Sequence, residues 1–398
     1  GLSSGWIVGR RAEAARDPSR MAGYHRPVIE RTGVADLGAL INEARATLPG
    51  VRLLLDPADR ESYRRDETAY LEAGLPGAVA FPASTDEVAG LLRLATRHRV
   101  PVVPRGAGTG LSGGAAGIEG ALTIVLTRMN RILEIDRANL CVIAQPGVIN
   151  AELKAAVAEV GLFYAPDPAS YETCSIGGNL GTNAGGLCCL KYGQTRDAVL
   201  GLEVVLADGT VIRTGGRNVK DVAGYSLTHL FVGSQGTLGI ITEATLKLRY
   251  APAPRSTLLV FFDTLEAAGD AVAAMTSAGL VPVTLELMDR ETILAVEDWH
   301  HLGLDVTAAA MLMVESDAPG AAAGEELDQA EAACVASGGR SIVRSADAQE
   351  ADWLRQARRL ALRALERQGT VRMEDVGVPR SRVPDLLRAI ERITAAHG

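Results

Sequence analysis

No uninterrupted apolar run in this sequence approaches the roughly 18 residues needed to cross a bilayer as a helix, and the N-terminus lacks the apolar core of a secretory signal. A membrane-spanning chain is therefore not expected. Positive charge is not in excess either. The formal net charge is −8, whereas a nucleic-acid or anionic-membrane surface needs clustered Lys and Arg, so a small or neutral partner fits better. The five cysteines (Cys141, Cys174, Cys188, Cys189 and Cys334) lack the paired spacing of a zinc site or a disulfide framework and read as reduced thiols of a cytoplasmic protein. Internal repeats and low-complexity tracts are missing too. What remains is 398 residues, 47% hydrophobic and 22% charged, which is enough chain for two or three domains with their own cores.

Glycine is plentiful, and its placement is informative. The stretch PRGAGTGLSGG contains GTGLSG, a formal G-x-G-x-x-G, preceded by a strand at Val100–Val103. A dinucleotide fingerprint of the Rossmann kind requires a helix directly after the turn, because that helix supplies half of the anion site. Here Gly113, Gly114, Gly117 and Gly120 each disfavour a helix, and the next regular element is the β-branched run Thr123–Leu126. No Gly-Lys-Ser/Thr follows, which removes a Walker A loop. A glycine-rich strand-to-strand connection with Thr109 and Ser112 still offers consecutive backbone N–H groups to a diphosphate.

The same composition returns in APDPAS, in SIGGNLGTNAGGLCCLKYG (Ser175–Gly193), and in VGSQGTLGIITEATLKL (Val232–Leu248). The middle segment carries too many glycines for a helix interior and reads as an irregular functional loop. Elsewhere, Ser84 and Glu87 form a capping-box pattern before an apolar helical face of Val88, Leu91, Leu92 and Ala95. Strands are expected at Ile132–Ile135, Cys141–Ala144, Val199–Leu206, Thr210–Arg213 and Glu243–Leu248, with a turn at Ala207–Gly209, and Asn150 is expected to cap a helix through Leu153 and Val157. Pro252 and Pro254 mark a domain boundary, after which strands and helices alternate as in a ferredoxin-like sheet.

Taken in order, PRGAGTGLSGG, PDPAS, IGGNLGTNAGG, KYG, KDVAGY and GSQGTLGIITE resemble the FAD-binding domain of the vanillyl-alcohol oxidase and p-cresol methylhydroxylase superfamily. Within it the chain is most similar to the FAD-linked 2-hydroxy-acid oxidoreductases, comprising the glycolate oxidase catalytic subunit, D-lactate dehydrogenases and D-2-hydroxyglutarate dehydrogenases. The resemblance implies an α+β protein. Residues 1–30 would be a disordered tail. Residues 31–252 would form a two-lobed FAD-binding domain, its small lobe ending near 105, and residues 253–398 a ferredoxin-like substrate-binding cap domain whose C-terminal part is missing.

Carried over position by position, the resemblance has Arg105, Gly106, Ala107, Gly108, Thr109, Gly110, Leu111 and Ser112 around the FAD diphosphate. Pro166, Asp167, Gly177, Gly178, Asn179, Thr182, Asn183 and Ala184 would line the flavin and ribityl side, and Gly239 and Ile241 the adenine end. No histidine adjoins the glycine loop, so the FAD is expected to be non-covalent.

Oxidising a 2-hydroxy acid needs a cation for the carboxylate, and the resemblance places that arginine at Arg358 in LRQARRLALRAL. The alternative is that Arg355, Arg358, Arg359 and Arg363 form a solvated helix face. In the family a later GHxGDGNxH segment and a glutamate supply metal ligands and the catalytic base. The chain ends at His397-Gly398, so it reads as a fragment or a shortened form with no metal site of its own; a divalent metal would come only with that segment. The adjacent His300-His301 reads as a polar loop.

The expected activity is oxidation of a D-2-hydroxy acid such as glycolate or D-lactate, with electrons passing to a quinone or an iron–sulfur subunit rather than NAD. Such a partner could hold a cytoplasmic protein at the membrane surface. A sugar lactone or alcohol oxidase, and a non-catalytic flavin-binding remnant, are the alternatives.

Overall fold

The computed structural model describes residues 35–68, 70–345, 347–369, 371 and 375–397, so the expected tail over residues 1–30 lies outside the described residues. The chain forms two units. Among the described residues, one comprises those up to Ala184 together with Gln194–Ala251; the other comprises Gly185–Gly193 and those from Pro252 onward.

In the first unit, α1 (Leu37–Thr47) is followed by β1 (Arg52–Leu54), α2 (Pro57–Glu61), β2 (Ala78–Phe81), α3 (Thr85–Arg97), β3 (Val102–Arg105) and β4 (Leu122–Val125). The sheet order is β1-β2-β4-β3, with β2 and β3 both parallel to β4. The apolar face of α3 anticipated at Val88, Leu91, Leu92 and Ala95 packs on Ala78, Ala80, Leu122 and Ile124. Ser84 caps α3 by accepting from the Glu87 N–H at 3.2 Å, while the Glu87 carboxylate reaches one residue further back than a capping box would, to the Ala83 N–H at 2.6 Å.

The chain continues through β5 (Ile132–Asp136), β6 (Cys141–Ala144), α4 (Asn150–Ala158), β7 (Leu162–Phe163), α5 (Ile176–Thr182) and α6 (Cys189–Tyr192), the last belonging to the second unit. It then returns to the first unit as β8 (Val199–Val205), β9 (Val211–Gly215), α7 (Leu227–Phe231), β10 (Ile240–Lys247) and β11 (Arg249–Tyr250). β5, β6, β10, β8 and β9 pair in that order as an antiparallel sheet. Its apolar face buries Val142, Leu202, Val204 and Leu246 against Leu153, Val157, Ile176 and Leu180.

Two local expectations fail here. The glycine-rich IGGNLGT is a helix, α5: Ser175 caps it by accepting from the Gly178 N–H at 3.2 Å, and Ile176 and Leu180, one turn apart, are fully buried. Tertiary burial outweighs the cost of about 1 kcal/mol that each interior glycine imposes. Asn150 is not a cap. Ile149 holds that position, and the Asn150 side chain turns into the interior.

The second unit contains β12 (Ser256–Phe262), α8 (Leu265–Ser277), β13 (Thr284–Asp289), α9 (Arg290–His300), β14 (Ala310–Ser316), α10 (Ala321–Ala336), β15 (Arg340–Arg344), α11 (Ala348–Glu366) and α12 (Val383–His397). The antiparallel order β13-β14-β12-β15 is that of a ferredoxin-like sheet, with α9 as an extra helix before β14. Alternation along β12 sends Leu258, Val260 and Phe262 towards α8 and α10, and Leu259 and Phe261 towards α9 and α11. His300 ends α9 and His301 takes the left-handed cap with φ 52°, so the pair terminates a helix instead of forming a free polar loop.

Candidate functional site

β3 ends at Arg105, and the chain runs without a helix to β4, the strand-to-strand connection that the glycines imply. Arg105 organises this loop from beneath. Its side chain is buried, its Nη1 donates to the Ala115 carbonyl at 2.9 Å, and its guanidinium lies 5.9 Å from the centre of the Tyr63 ring. Burial lowers its proton affinity, and neighbouring Asp66 opposes that shift. Gly108 has φ +84°, and a Cβ there would lie 2.2 Å from Arg105 Nη2, so both conformation and space require glycine.

The segment before β2 braces the far side of the loop. Asp66 accepts from the N–H groups of Thr68 at 3.0 Å and Ala115 at 3.3 Å, Thr68 Oγ accepts from Gly113 N–H at 2.8 Å, and Glu67 N–H donates to Gly110 O at 3.1 Å. Among the described residues, the consecutive N–H groups from Ala107 to Ser112 donate to no protein acceptor. They sit on a loop that is half-buried from Ala107 to Gly110 and exposed at Leu111 and Ser112. A row of unsatisfied N–H groups on a half-buried to exposed loop is a donor set that an anion such as a diphosphate can satisfy.

Two other glycine stretches converge on the same place. A Cβ on Gly106 would lie 2.3 Å from Ser175 Oγ, which puts the loop against the start of α5. Gly233 and Gln235 donate their N–H groups to Leu180 O at 2.9 Å and Gly181 O at 2.8 Å, tying the GSQGTLG segment to the end of α5, and the Gln235 side chain reaches Gly114. The first N–H groups of α5 are already satisfied: Ile176 by Val148 O, Gly177 by Pro146 O and Gly178 by Ser175 Oγ. The helix therefore supports the loop and does not itself present donors to an anion.

Beside α5 lies a buried polar group of side chains. Asn150 Nδ2 donates to Asn179 Oδ1 at 2.9 Å and lies 3.5 Å from Pro166 O, while Asn179 Nδ2 lies 3.1 Å from Cys174 Sγ. Asp167 is buried next to Lys154 at 3.7 Å, and Lys154 also donates to Tyr164 O at 2.9 Å. Asn150 Oδ1 and the Tyr164 hydroxyl are buried without a partner, and burial pushes the Tyr164 pKa up.

Asn183 has φ 49° and closes the base of the excursion to the second unit, donating to Gln194 Oε1 at 2.7 Å and accepting from Arg196 N–H at 2.9 Å. Ala184 N–H bonds Asn179 O at 2.9 Å, and Thr182 Oγ bonds Gly178 O at 3.0 Å. The side chains of Asn179 and Asn183 are thus engaged within the protein. Gly239 precedes β10, whose Ile240 and Ile241 pair with Val205 and Val204; β6 joins β10 only at Ala244–Lys247.

In the second unit Arg358 is 7% exposed, which excludes it from a solvated helix face, and its Nε donates to Glu286 Oε2 at 2.6 Å. Burial pushes the Glu286 carboxyl above its usual range, and Arg358 counteracts that shift. Arg363 is exposed, as a solvated face would have it. Sequence reasoning missed Tyr63, Asp66, Thr68 and Glu286. Each acts through a contact distant in sequence, such as the 49-residue separation of Asp66 and Ala115, and no local pattern signals such a contact.

Comparison with known proteins points to FAD as the cofactor. Residues 76–215 match the family model of an FAD binding domain, and residues 251–398 match that of the C-terminal domain of FAD linked oxidases. The second match runs to residue 398 and gives no support to the expectation of a cap domain cut short. The chain is 46% identical over 341 residues to the glycolate oxidase subunit GlcD of Bacillus subtilis (strain 168), covering 85% of this chain and 72% of that protein. It is 40% identical over 246 residues to the D-lactate dehydrogenase of Anaerostipes hadrus, covering 62% of this chain and 52% of that one. The structure of p-cresol methylhydroxylase with substrate bound superposes with a TM-score of 0.69 over 88% of this chain and 72% of that one, at 17% identity, which shows a shared fold. Among the described residues, no helix is long and apolar enough to cross a membrane, and no group of three or more His, Cys, Asp or Glu side chains could hold a metal ion.

Proposed function

The chain belongs to the FAD-linked oxidase family of the glycolate oxidase subunit GlcD, and from that premise we propose that it oxidises a D-2-hydroxy acid of the glycolate or D-lactate class to the 2-oxo acid. The observation that carries the cofactor assignment is the run of unpartnered N–H groups at Ala107–Ser112, held open by Arg105 below and by Asp66 and Thr68 behind. These N–H groups would take the FAD diphosphate. Backbone atoms around Pro166, Asp167, Gly177, Gly178 and Asn179–Ala184 would line the flavin and ribityl side, and Gly239 and Ile241 the adenine end. Bound FAD supplies the two-electron acceptor for the hydride that leaves the α-carbon as the hydroxyl loses its proton.

Arg358 would hold the substrate carboxylate, because a planar guanidinium orients a carboxylate that a lysine could only attract. Glu286 fixes the Nε edge of that group and so its plane. Electrons would leave to a quinone or an iron–sulfur subunit, and the FAD would be non-covalent.

The test is to load the chain with FAD, precipitate with acid, and incubate a second sample with D-lactate and an artificial electron acceptor. Intact FAD in the supernatant and pyruvate as the product are expected. Colour retained in the pellet would contradict the non-covalent assignment; no product from any 2-hydroxy acid would contradict the reaction class.

A further inference from the structure

Arg255, Arg355 and Arg358 reach the face of the cap sheet that packs on α9 and α11, and the first two are committed to one acid. Glu315 on β14 is fully buried with both oxygens in use: Oε1 accepts from Arg355 Nη1 at 2.8 Å and Thr257 Oγ at 2.9 Å, and Oε2 from Arg255 Nη1 at 3.3 Å. The second Nη of each arginine is engaged as well, Arg255 with Cys188 Sγ at 3.1 Å and Arg355 with Asp352 Oδ1 at 3.0 Å. Arg358 belongs to a different pair, with Glu286.

Thr284 stands opposite Glu315 in the β13–β14 register and two residues before Glu286, hence on the same face of the sheet. Its side chain is fully buried and its hydroxyl has no hydrogen-bond partner. A buried hydroxyl left unpaired is uncommon, and one beside a guanidinium–carboxylate cluster marks a position where a polar ligand would complete the bonding.

Resting on the 2-hydroxy-acid reading above, we propose that Glu315 sets the substrate class. By holding Arg255 and Arg355 it withholds two guanidinium groups from any second carboxylate. The cap residues therefore accept a monocarboxylic 2-hydroxy acid, with the Thr284 hydroxyl bonding to it, and disfavour a dicarboxylic one. A dicarboxylate could recruit Arg255 or Arg355 only by breaking an ion pair whose acid is fully buried and leaving Glu315 with one cation fewer, a penalty that acts as discrimination.

The experiment measures anaerobic flavin reduction in the FAD-loaded full chain as a function of acid concentration, with glycolate and D-lactate against D-2-hydroxyglutarate. The wild-type protein is expected to favour the better monocarboxylic acid by about 100-fold or more in apparent affinity. Glu315→Gln is expected to narrow that preference by at least about 10-fold, read as the ratio of the two apparent affinities. Should Glu315→Gln fail to retain FAD, the double variant Glu315→Gln/Arg355→Met removes one charge of each sign and is expected to shift the preference in the same direction. Thr284→Val is expected to weaken the monocarboxylic acid by about 10-fold without changing FAD content.

Equal use of mono- and dicarboxylic acids by the wild type, or an unaltered preference in an FAD-loaded Glu315 variant, would overturn the assignment while leaving the reaction class intact. Absence of reduction by every acid would instead overturn the reaction class, and this inference with it.

Discussion

Asn150 and Asn179, 29 residues apart in the chain, meet through their side-chain amides at 2.9 Å in the interior of the first unit. The contact joins the start of α4 to the middle of α5, with the Asn150 amide also 3.5 Å from the Pro166 carbonyl. Removing the Asn150 amide leaves the buried Asn179 side chain with only the Cys174 sulfur as a partner among the described residues. Asn150→Ala should cost about 1–3 kcal/mol of stability and weaken FAD binding, since α5 supports the glycine loop. Thermal unfolding with and without FAD checks both effects; an unchanged melting temperature would show that the contact carries no stability.

The glycine loop tolerates no side chain at Gly108. With φ +84° and the Arg105 guanidinium only 2.2 Å from a Cβ position, Gly108→Ala must move either the backbone or Arg105. FAD affinity should fall by at least about 10-fold, given the cost of roughly 1–2 kcal/mol for a non-glycine residue in that conformation plus the displaced arginine. Titration of the apoprotein with FAD, followed by flavin fluorescence, reads this directly.

Arg358 needs a paired substitution to be tested cleanly. Arg358→Ala alone would leave the buried Glu286 carboxylate without this partner at a cost of about 3–5 kcal/mol, so lost activity could reflect lost folding. Arg358→Met with Glu286→Gln removes both charges. The double variant should keep its FAD and raise the hydroxy-acid concentration required for half-maximal flavin reduction by several hundred-fold, on the order expected for losing a charged partner. Unchanged substrate dependence would remove Arg358 from the site.

The cysteines should react in a defined order. Burial pushes the Cys334 thiol up to about 12 and raises Cys141 and Cys174 as well, so all three remain protonated and shielded at pH 8. Cys189 is the half-exposed one. Brief alkylation of the native protein followed by peptide mass analysis should label Cys189, with Cys141, Cys174 and Cys334 modified only after denaturation.

Acid should weaken the first unit by way of Asp136. Hydrogen bonds from the Asn139 side chain and backbone, and then Arg217, hold its pKa below the ordinary value of 3.8. Because the folded pKa is depressed, its contribution is present above that ordinary value and is lost as pH falls through the folded one. Asp136→Asn should flatten the decline in melting temperature below pH 4; an unaltered slope would show that other carboxylates govern it.

The elements legible in the sequence were those whose own periodicity matches their burial. The α3 face from Val88 to Ala95 and the alternating strands of the cap are of this kind, and so is the glycine loop, where each glycine after Ser112 argued against a helix. α5 escaped because its glycines carry the wrong propensity, and it is held by burial of Ile176 and Leu180 together with a serine cap. Asn150 was placed at the right helix end in the wrong role, since cap and buried anchor look alike in sequence. Asp66 and Thr68, which brace the loop, and Glu286, which fixes Arg358, act only through long-range contacts. Local pattern carries no trace of those contacts.

The central claim is that a non-covalent FAD, held by the Ala107–Ser112 loop, is reduced by a 2-hydroxy acid. The most direct measurement is the visible absorption spectrum of the FAD-loaded chain under anaerobic conditions, before and after addition of glycolate or D-lactate. The account requires a flavin spectrum that bleaches on addition of one of these acids. A flavin spectrum that persists unchanged with both, or no flavin bound at all, would contradict it.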